Sequence, residues 1–202
     1  ASVHMSEIFT AFVSGVSHFK FNNLKGKIVK NLVIPGVLGG VAGALLLSKI
    51  SGSIVKPIVS AYLLIMGIRI FIKAFNNVPG MKFKTFHYVL LGLVGGFFDA
   101  IGGGGWGPIV TSSLLSQDHP PRKIIGSVNI AEFFVTLAES LVFIFTINLI
   151  PIPIVLGLIL GGMIAAPIAA FLTSRIPPKV IYIVIGSLII LLQIRYFITL
   201  VL

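Results

Sequence analysis

The stretch of this 202-residue sequence with the most distinctive chemistry is Gly102, Gly103, Gly104, Gly105, Trp106 and Gly107, followed by Pro108. Glycines let backbone amides turn toward a ligand without side-chain obstruction, and Pro108 suits the first position of a new helix, where its missing N–H costs nothing. A helix N-terminus adds positive potential, so the arrangement is a ready cradle for an anion. The alternative is a tight turn that only lets helices approach closely. Trp106, the single tryptophan, lines the cavity, plugs it, or anchors the chain at a membrane interface. Thr111, Asn129 and His4 complete the set of candidate substrate-binding residues.

Four of the five acidic residues, Glu7, Asp99, Glu132 and Glu139, fall within apolar segments. Ionisable groups in such surroundings are expensive and are functional candidates by default. Asn129, Glu132, Thr136 and Glu139 fall on one face of a helix, and His4, Glu7, Ser14 and His18 make a comparable stripe. Glu7, Glu132 and Asp99 are the candidates for a proton relay or pathway; the alternative is hydrogen bonding between helices. For Glu139 the structural role is the expectation. Asp99 either ties down amides of the glycine loop or takes up a proton. Arg69 and Arg195 either snorkel or pair with charge. His87 and His119 sit near segment boundaries and are expected to be solvated. The pairs Gly36/Gly40 and Gly39/Gly43 read as close helix packing.

The composition says what must position these residues. Hydrophobic residues make up 56% of the chain and charged ones only 10%. Soluble domains carry about 25% charged residues, and this chain has too little polar surface to cover a globule. It is an integral membrane protein. The net charge of +10 is spread through short gaps between apolar runs rather than clustered on a face, so nucleic acid is not expected as a partner. With no cysteine, disulfides and thiol chemistry are excluded. No catalytic residue, metal site or cofactor is expected; there is no G-x-S-G, G-x-G-D or H-E-x-x-H run.

A membrane helix needs about 20 mostly apolar residues, so the chain is a single transmembrane domain, 1–202, with no soluble part. Spans are expected at 31–49, 55–75, 123–147, 151–172 and 180–202, after a more polar run at 1–19. The segment 86–115 is broken by the glycine loop. Ser2, Val3, Glu7 and Phe9 match Ser127, Val128, Glu132 and Phe134 at an offset of 125. Gly36, Ala44, Ser48, Ile50, Ile68, Arg69 and Phe71 match Gly162, Ala170, Ser174, Ile176, Ile194, Arg195 and Phe197 at an offset of 126. The expected division is a partial first repeat over 1–76, a connector over 77–85 and a second repeat over 86–202. A second glycine-broken segment is expected to precede Ala1.

Lysines and arginines arbitrate the topology, because cytoplasmic loops are enriched in them. If 86–115 crosses fully, the two sides hold seven and six basic residues. If it is a re-entrant hairpin, they hold eleven and two. The hairpin gives the clear bias. The expected fold is therefore an all-α polytopic membrane protein, with two inverted repeats of a re-entrant broken helix plus three spans and the first re-entrant segment missing. Inverted repeats with broken helices recur among transporters.

The run Asp99-Ala100-Ile101-Gly102-Gly103-Gly104-Gly105-Trp106-Gly107-Pro108 resembles the signature of the sulfite exporter TauE/SafE family. Ser2-Val3-His4-Met5-Ser6-Glu7 and Ser14-Gly15-Val16-Ser17-His18 resemble the second segment of that family's first repeat. The resemblance implies duplicated halves and export of sulfite, a sulfonate or a related sulfur anion by a secondary transporter of the plasma membrane. Its partners would be that small anion and the lipid bilayer, and a homodimer is compatible. An anion channel and a non-transporting membrane subunit or scaffold stand as alternatives.

Overall fold

The computed structural model describes residues 2–46, 52–76, 79–102, 106–146 and 152–201. Every regular element among them is helical. They are α1 (Ser2–Lys20), α2 (Gly26–Leu46), α3 (Gly52–Lys73), α4 (Thr85–Gly102), a π-turn (Gly107–Thr111), α5 (Ser112–Leu115), α6 (Pro121–Thr146), α7 (Ile152–Arg175) and α8 (Pro178–Val201). Four of these, α2, α6, α7 and α8, are long and apolar enough to cross a membrane. α7 and α8 are apolar all round and bury little against protein, as suits helices whose outer faces meet lipid. The turn from α1 to α2 is made by Asn22 at φ 54°, a left-handed position that asparagine tolerates. α2 begins at Gly26, five residues before the expected span, because Lys27 and Lys30 can extend from its first turns toward water.

The segment around the glycine loop returns to the end from which it entered. α4 has 18 residues, about 27 Å at 1.5 Å per residue. After the break, Trp106 lies back beside Gly95: a Cβ at residue 95 would sit 3.5 Å from the indole. At the mouth of the hairpin, Met81 N–H donates to Ser116 O at 3.0 Å and the Tyr88 hydroxyl donates to Gln117 Oε1 at 2.8 Å. The α1–α2 turn is at the same end, where Lys123 Nζ donates to Asn22 O at 2.6 Å. α7 ends there too, since Asn23 Nδ2 donates to Ala170 O at 3.2 Å. So does the α3 terminus, with Lys179 Nζ 5.2 Å from the Phe75 ring. The lysine-rich segments of the hairpin topology are thus gathered at one end.

α2 packs along α4 and α6, α1 along α6 and α7, and α3 along α8. The pairs α1–α6, α3–α8 and the reciprocal pairs α1–α7 and α6–α2 are unchanged if helices related by the repeat offset are exchanged. Duplicated halves would pack this way; the duplication and its inversion stand as our proposal. The core sits where hairpin, α2 and α6 meet. Trp106, Val110, Leu114, Val128, Ala131, Val135 and Leu32 form it.

Candidate functional site

The site is built where the broken hairpin meets α1, α2 and α6. Pro108 stands at the start of the π-turn, as its missing N–H suits, with Trp106 before it and no side chain capping the turn. π-Turns frequently occur at functional sites. Gly102 closes α4. Gly103, Gly104 and Gly105, the centre of the expected anion cradle, lie outside the described residues. Gly107 is half-buried, and a Cβ there would lie 3.8 Å from Glu132 Oε1. Glu132 therefore stands next to the start of the returning arm.

Trp106 is 0% exposed. Its indole N–H donates to Val128 O at 3.2 Å, and the ring fills the space that Gly36 of α2 leaves open. An interfacial anchor would show its ring to the headgroups, so that reading is corrected: the tryptophan is a wedge between hairpin, α2 and α6. Asp99, 1% exposed, accepts the backbone N–H of Trp106 through Oδ1 at 2.8 Å. It thereby ties the two sides of the break together.

His4 collects the acids. It is 0% exposed and stacks on Phe143 with ring centroids 5.2 Å apart. Its Nδ1 lies 3.2 Å from Glu7 Oε2, 3.2 Å from Glu139 Oε2 and 3.9 Å from Asp99 Oδ2. Asp99 Oδ2, both carboxylate oxygens of Glu139 and His4 Nε2 have no hydrogen-bond partner among the described residues. An imidazole flanked by several carboxyl groups in a membrane interior needs protons or a cation to balance it. Ligand atoms of His4, Glu7 and Asp99 lie within 4.8 Å of one another, close enough to surround one cation.

A second grouping faces away from Trp106. A cavity of about 290 Å³ is lined by Glu7, Ser14, Asn129 and Glu132 with Gly162 and Ala166 of α7. The structure thus brings Glu7, Asn129 and Glu132 together, with Glu7 bridging to the His4 cluster. Thr111 is half-buried at the end of the π-turn and is not part of this lining. His18 drops out of its stripe, because Asn23 Nδ2 lies 3.2 Å from its Nδ1 at the far end of α1.

Glu139 was expected to be structural, and it links α6 to α1 as one of the carboxyl groups closest to His4. The signal that could have found it was its place on the Asn129–Glu132–Thr136 stripe. His119, expected to be solvated, departs from expectation. It is half-buried, and Lys25 Nζ sits 3.1 Å from its Nε2 and 3.2 Å from its Nδ1. A sequence window cannot register a contact 94 residues apart. Of the arginines, Arg69 extends toward the lysine-rich end and donates from Nη2 to Pro79 O at 3.0 Å. His87 is exposed, as expected, and its Nδ1 accepts the Lys84 backbone N–H at 3.1 Å.

Comparisons with known proteins agree with this architecture. The family model described as sulfite exporter TauE/SafE matches residues 1–196. A Bacillus subtilis (strain 168) protein named probable membrane transporter protein YtnM is 39% identical over 204 aligned residues, covering 96% of this chain and 68% of the relative. No solved structure matches the chain. With the glycine-broken hairpin, the apolar helices and a family match that spans nearly its whole length, the chain belongs to the sulfite exporter TauE/SafE family of multi-pass membrane transporters.

Proposed function

We propose that the protein is a secondary transporter that exports a small anion, namely sulfite, a sulfonate or a related sulfur compound, across the plasma membrane. The observation that carries this reading is the convergence of Glu7, Asn129 and Glu132 on one cavity beside Gly107, with the buried His4–Asp99–Glu139 cluster adjoining it. In this reading the backbone of residues 102–107 cradles the anion beside Asn129, while Trp106 holds the hairpin against α2 and α6. Glu7, Glu132 and Asp99 pass protons, and the transported anion undergoes no chemical reaction. The sulfur chemistry is supported by the family description alone.

An anion cannot cross apolar helices unescorted, so the cycle must neutralise or hydrogen-bond it at each stage. Protonation of Glu132 or Glu7 removes negative charge from the cavity walls and lets the anion approach. Deprotonation restores the repulsion and expels it. In this cycle the proton is taken up with the anion and released with it, so the carboxylates couple the two by symport. Asp99 holds Trp106 against the break, so the hairpin is the element that must move or stay closed as the cavity changes sides.

The test is reconstitution of the full-length protein in liposomes, with uptake of labelled sulfite and of a labelled sulfonate measured across an imposed pH gradient. Saturable, gradient-driven uptake is expected. Gly104→Val should abolish it, and Glu132→Gln should lower it at least about tenfold by removing the proton acceptor. Uptake indifferent to the gradient, saturation and Glu132→Gln would mean a passive anion channel. No uptake of any anion would mean a subunit without transport of its own.

A further inference from the structure

We propose that the lysine-rich end of the protein carries a second anion site, separate from the glycine loop, which binds a small oxyanion and loads it for export. A cavity of about 470 Å³ opens there between the start of α2, the start of α4 and the 116–119 turn. Lys25, Lys27, Lys82 and Lys84 line it, with Gln117 and His119. Its one carboxylate, Asp118, is occupied from other directions. It lies 3.6 Å from Lys73 Nζ and accepts the Gly80 N–H at 3.1 Å.

The feature that points to a ligand is Gln117, which is only 3% exposed. Its Oε1 accepts the Tyr88 hydroxyl, and its Nε2 has no hydrogen-bond partner among the described residues. Turning the amide over does not remove the orphan. Nε2 would then give one N–H to Tyr88, and its second N–H and the phenol O–H would both lack acceptors. A buried donor left unpaired carries the full cost of its desolvation. An acceptor oxygen held in the cavity that Gln117 lines would satisfy it.

The surroundings favour a charged one. Four lysines line the cavity, and the first residues of α2 and α4, helices of 21 and 18 residues, lie at its wall. Helix N-termini favour anions. Burial, and then the charge of Lys25, hold the pKa of His119 below its ordinary 6.5. An oxyanion seated beside Lys25 would relieve that repulsion. Sulfite, sulfonates, sulfate and phosphate share the required chemistry of several acceptor oxygens on one compact charge.

The binding claim stands without transport, whereas the loading role rests on the export reading, so the two are measured separately. Binding is read by calorimetric titration of sulfate at constant ionic strength into full-length protein in phosphatidylcholine nanodiscs. Saturable binding is expected, weakened about tenfold in Lys82→Gln/Lys84→Gln, whose lysines are exposed, and further in Gln117→Glu, which keeps the acceptor for Tyr88. The matched pair Lys20→Gln/Lys30→Gln removes the same charge outside the cavity and should change affinity less than about twofold. Absence of saturable binding overturns the site, as does equal weakening in the matched pair or binding only when phosphatidylglycerol is added. If Gln117→Glu fails to fold, the two lysine pairs decide the question alone.

Transport is then read in liposomes. Lys82→Gln/Lys84→Gln should raise the KM for sulfite and leave the maximal rate unchanged, whereas Gly104→Val lowers the maximal rate. A KM unmoved by the weakened site overturns the loading role. Failure of the unmodified protein to transport any anion overturns the export reading and leaves the binding result standing.

Discussion

Helices α2 and α7 carry the same kind of small-residue stripe and meet opposite surroundings. At the repeat offset of 126, Gly36, Gly39, Gly40 and Gly43 correspond to Gly162, Ala165, Ala166 and Ala169. On α2 the stripe is buried. A Cβ at residue 39 would run into the Leu93 backbone of α4, one at residue 43 into that of Phe97, and one at residue 40 into the Glu139 carboxyl. On α7 only Val155 and Ala170 are buried; off the stripe a Cβ at residue 157 or 161 meets nothing within 4 Å, and on it a Cβ at residue 162 would run into the Thr10 side chain of α1. There the stripe lines the cavity that holds Glu7 and Glu132.

The contrast shows that small residues in a membrane helix do two jobs. Lipid tails are as apolar as leucine, so helices associate by close backbone approach rather than by hiding apolar surface. On α2 the glycines permit that approach and the hairpin locks onto them. On α7 Gly162 lets α1 approach through Thr10, and the small residues after it leave a cavity lined by polar groups of α1 and α6. The covered side holds the hairpin, and the open side offers a path.

Several measurements would break or sharpen this comparison. The largest effect should come from Trp106→Ala, which empties the wedge between α2, α6 and the hairpin and removes the indole bond to Val128 O. A loss of about 3–5 kcal/mol is expected, against almost none for Leu160→Ala on α7, whose side chain is 65% exposed. Similar shifts in the unfolding midpoint in detergent would contradict a covered and an open side. Next come two glycine substitutions of opposite sign. Gly39→Ala should destabilise by about 1–3 kcal/mol through its clash with the α4 backbone. Gly161→Ala should stabilise by up to about 1 kcal/mol by removing helix entropy cost.

A chemical probe gives a smaller but direct contrast. A water-soluble carbodiimide should modify Glu7, which is partly exposed, and leave Glu139, which is 0% exposed. Mass spectrometry of the labelled protein reads this out, and modification of both residues would mean that the covered side opens. The smallest effect concerns the foot of α2, where His119 faces Lys25, Lys73 and Asp118. Its folded pKa lies below 6.5, so as pH falls through that value the unfolded chain takes up the proton first and stability declines. His119→Gln should flatten the fall in unfolding midpoint between pH 7 and about 5, and an unchanged slope would place the titration elsewhere.

Much of the fold was legible because the bilayer leaves few choices. A backbone in lipid must satisfy its own hydrogen bonds, so long apolar runs are helices, and the glycine run and Pro108 marked the break. The basic residues alone favoured the hairpin, and the Met81–Ser116 bond closes its mouth. The site was legible in its ingredients and less so in its assignments. Glu139 carried the same helical spacing as Glu132, yet the two face different neighbours. A period of 3.6 residues says which side chains share a helix face but not which helix will face them.

The sequence by itself therefore determined a membrane-embedded helical chain, its break at residues 102–107, its lysine-rich end and the acids held inside. Only the tertiary structure decided that His4 gathers Glu7, Asp99 and Glu139, that Trp106 is a wedge, and that Gln117 and four lysines share one cavity. Composition and periodicity are local and are imposed by the solvent that each segment meets. These contacts join residues far apart in the chain, and they exist only because helix packing in the membrane selects one arrangement of backbones that approach closely enough.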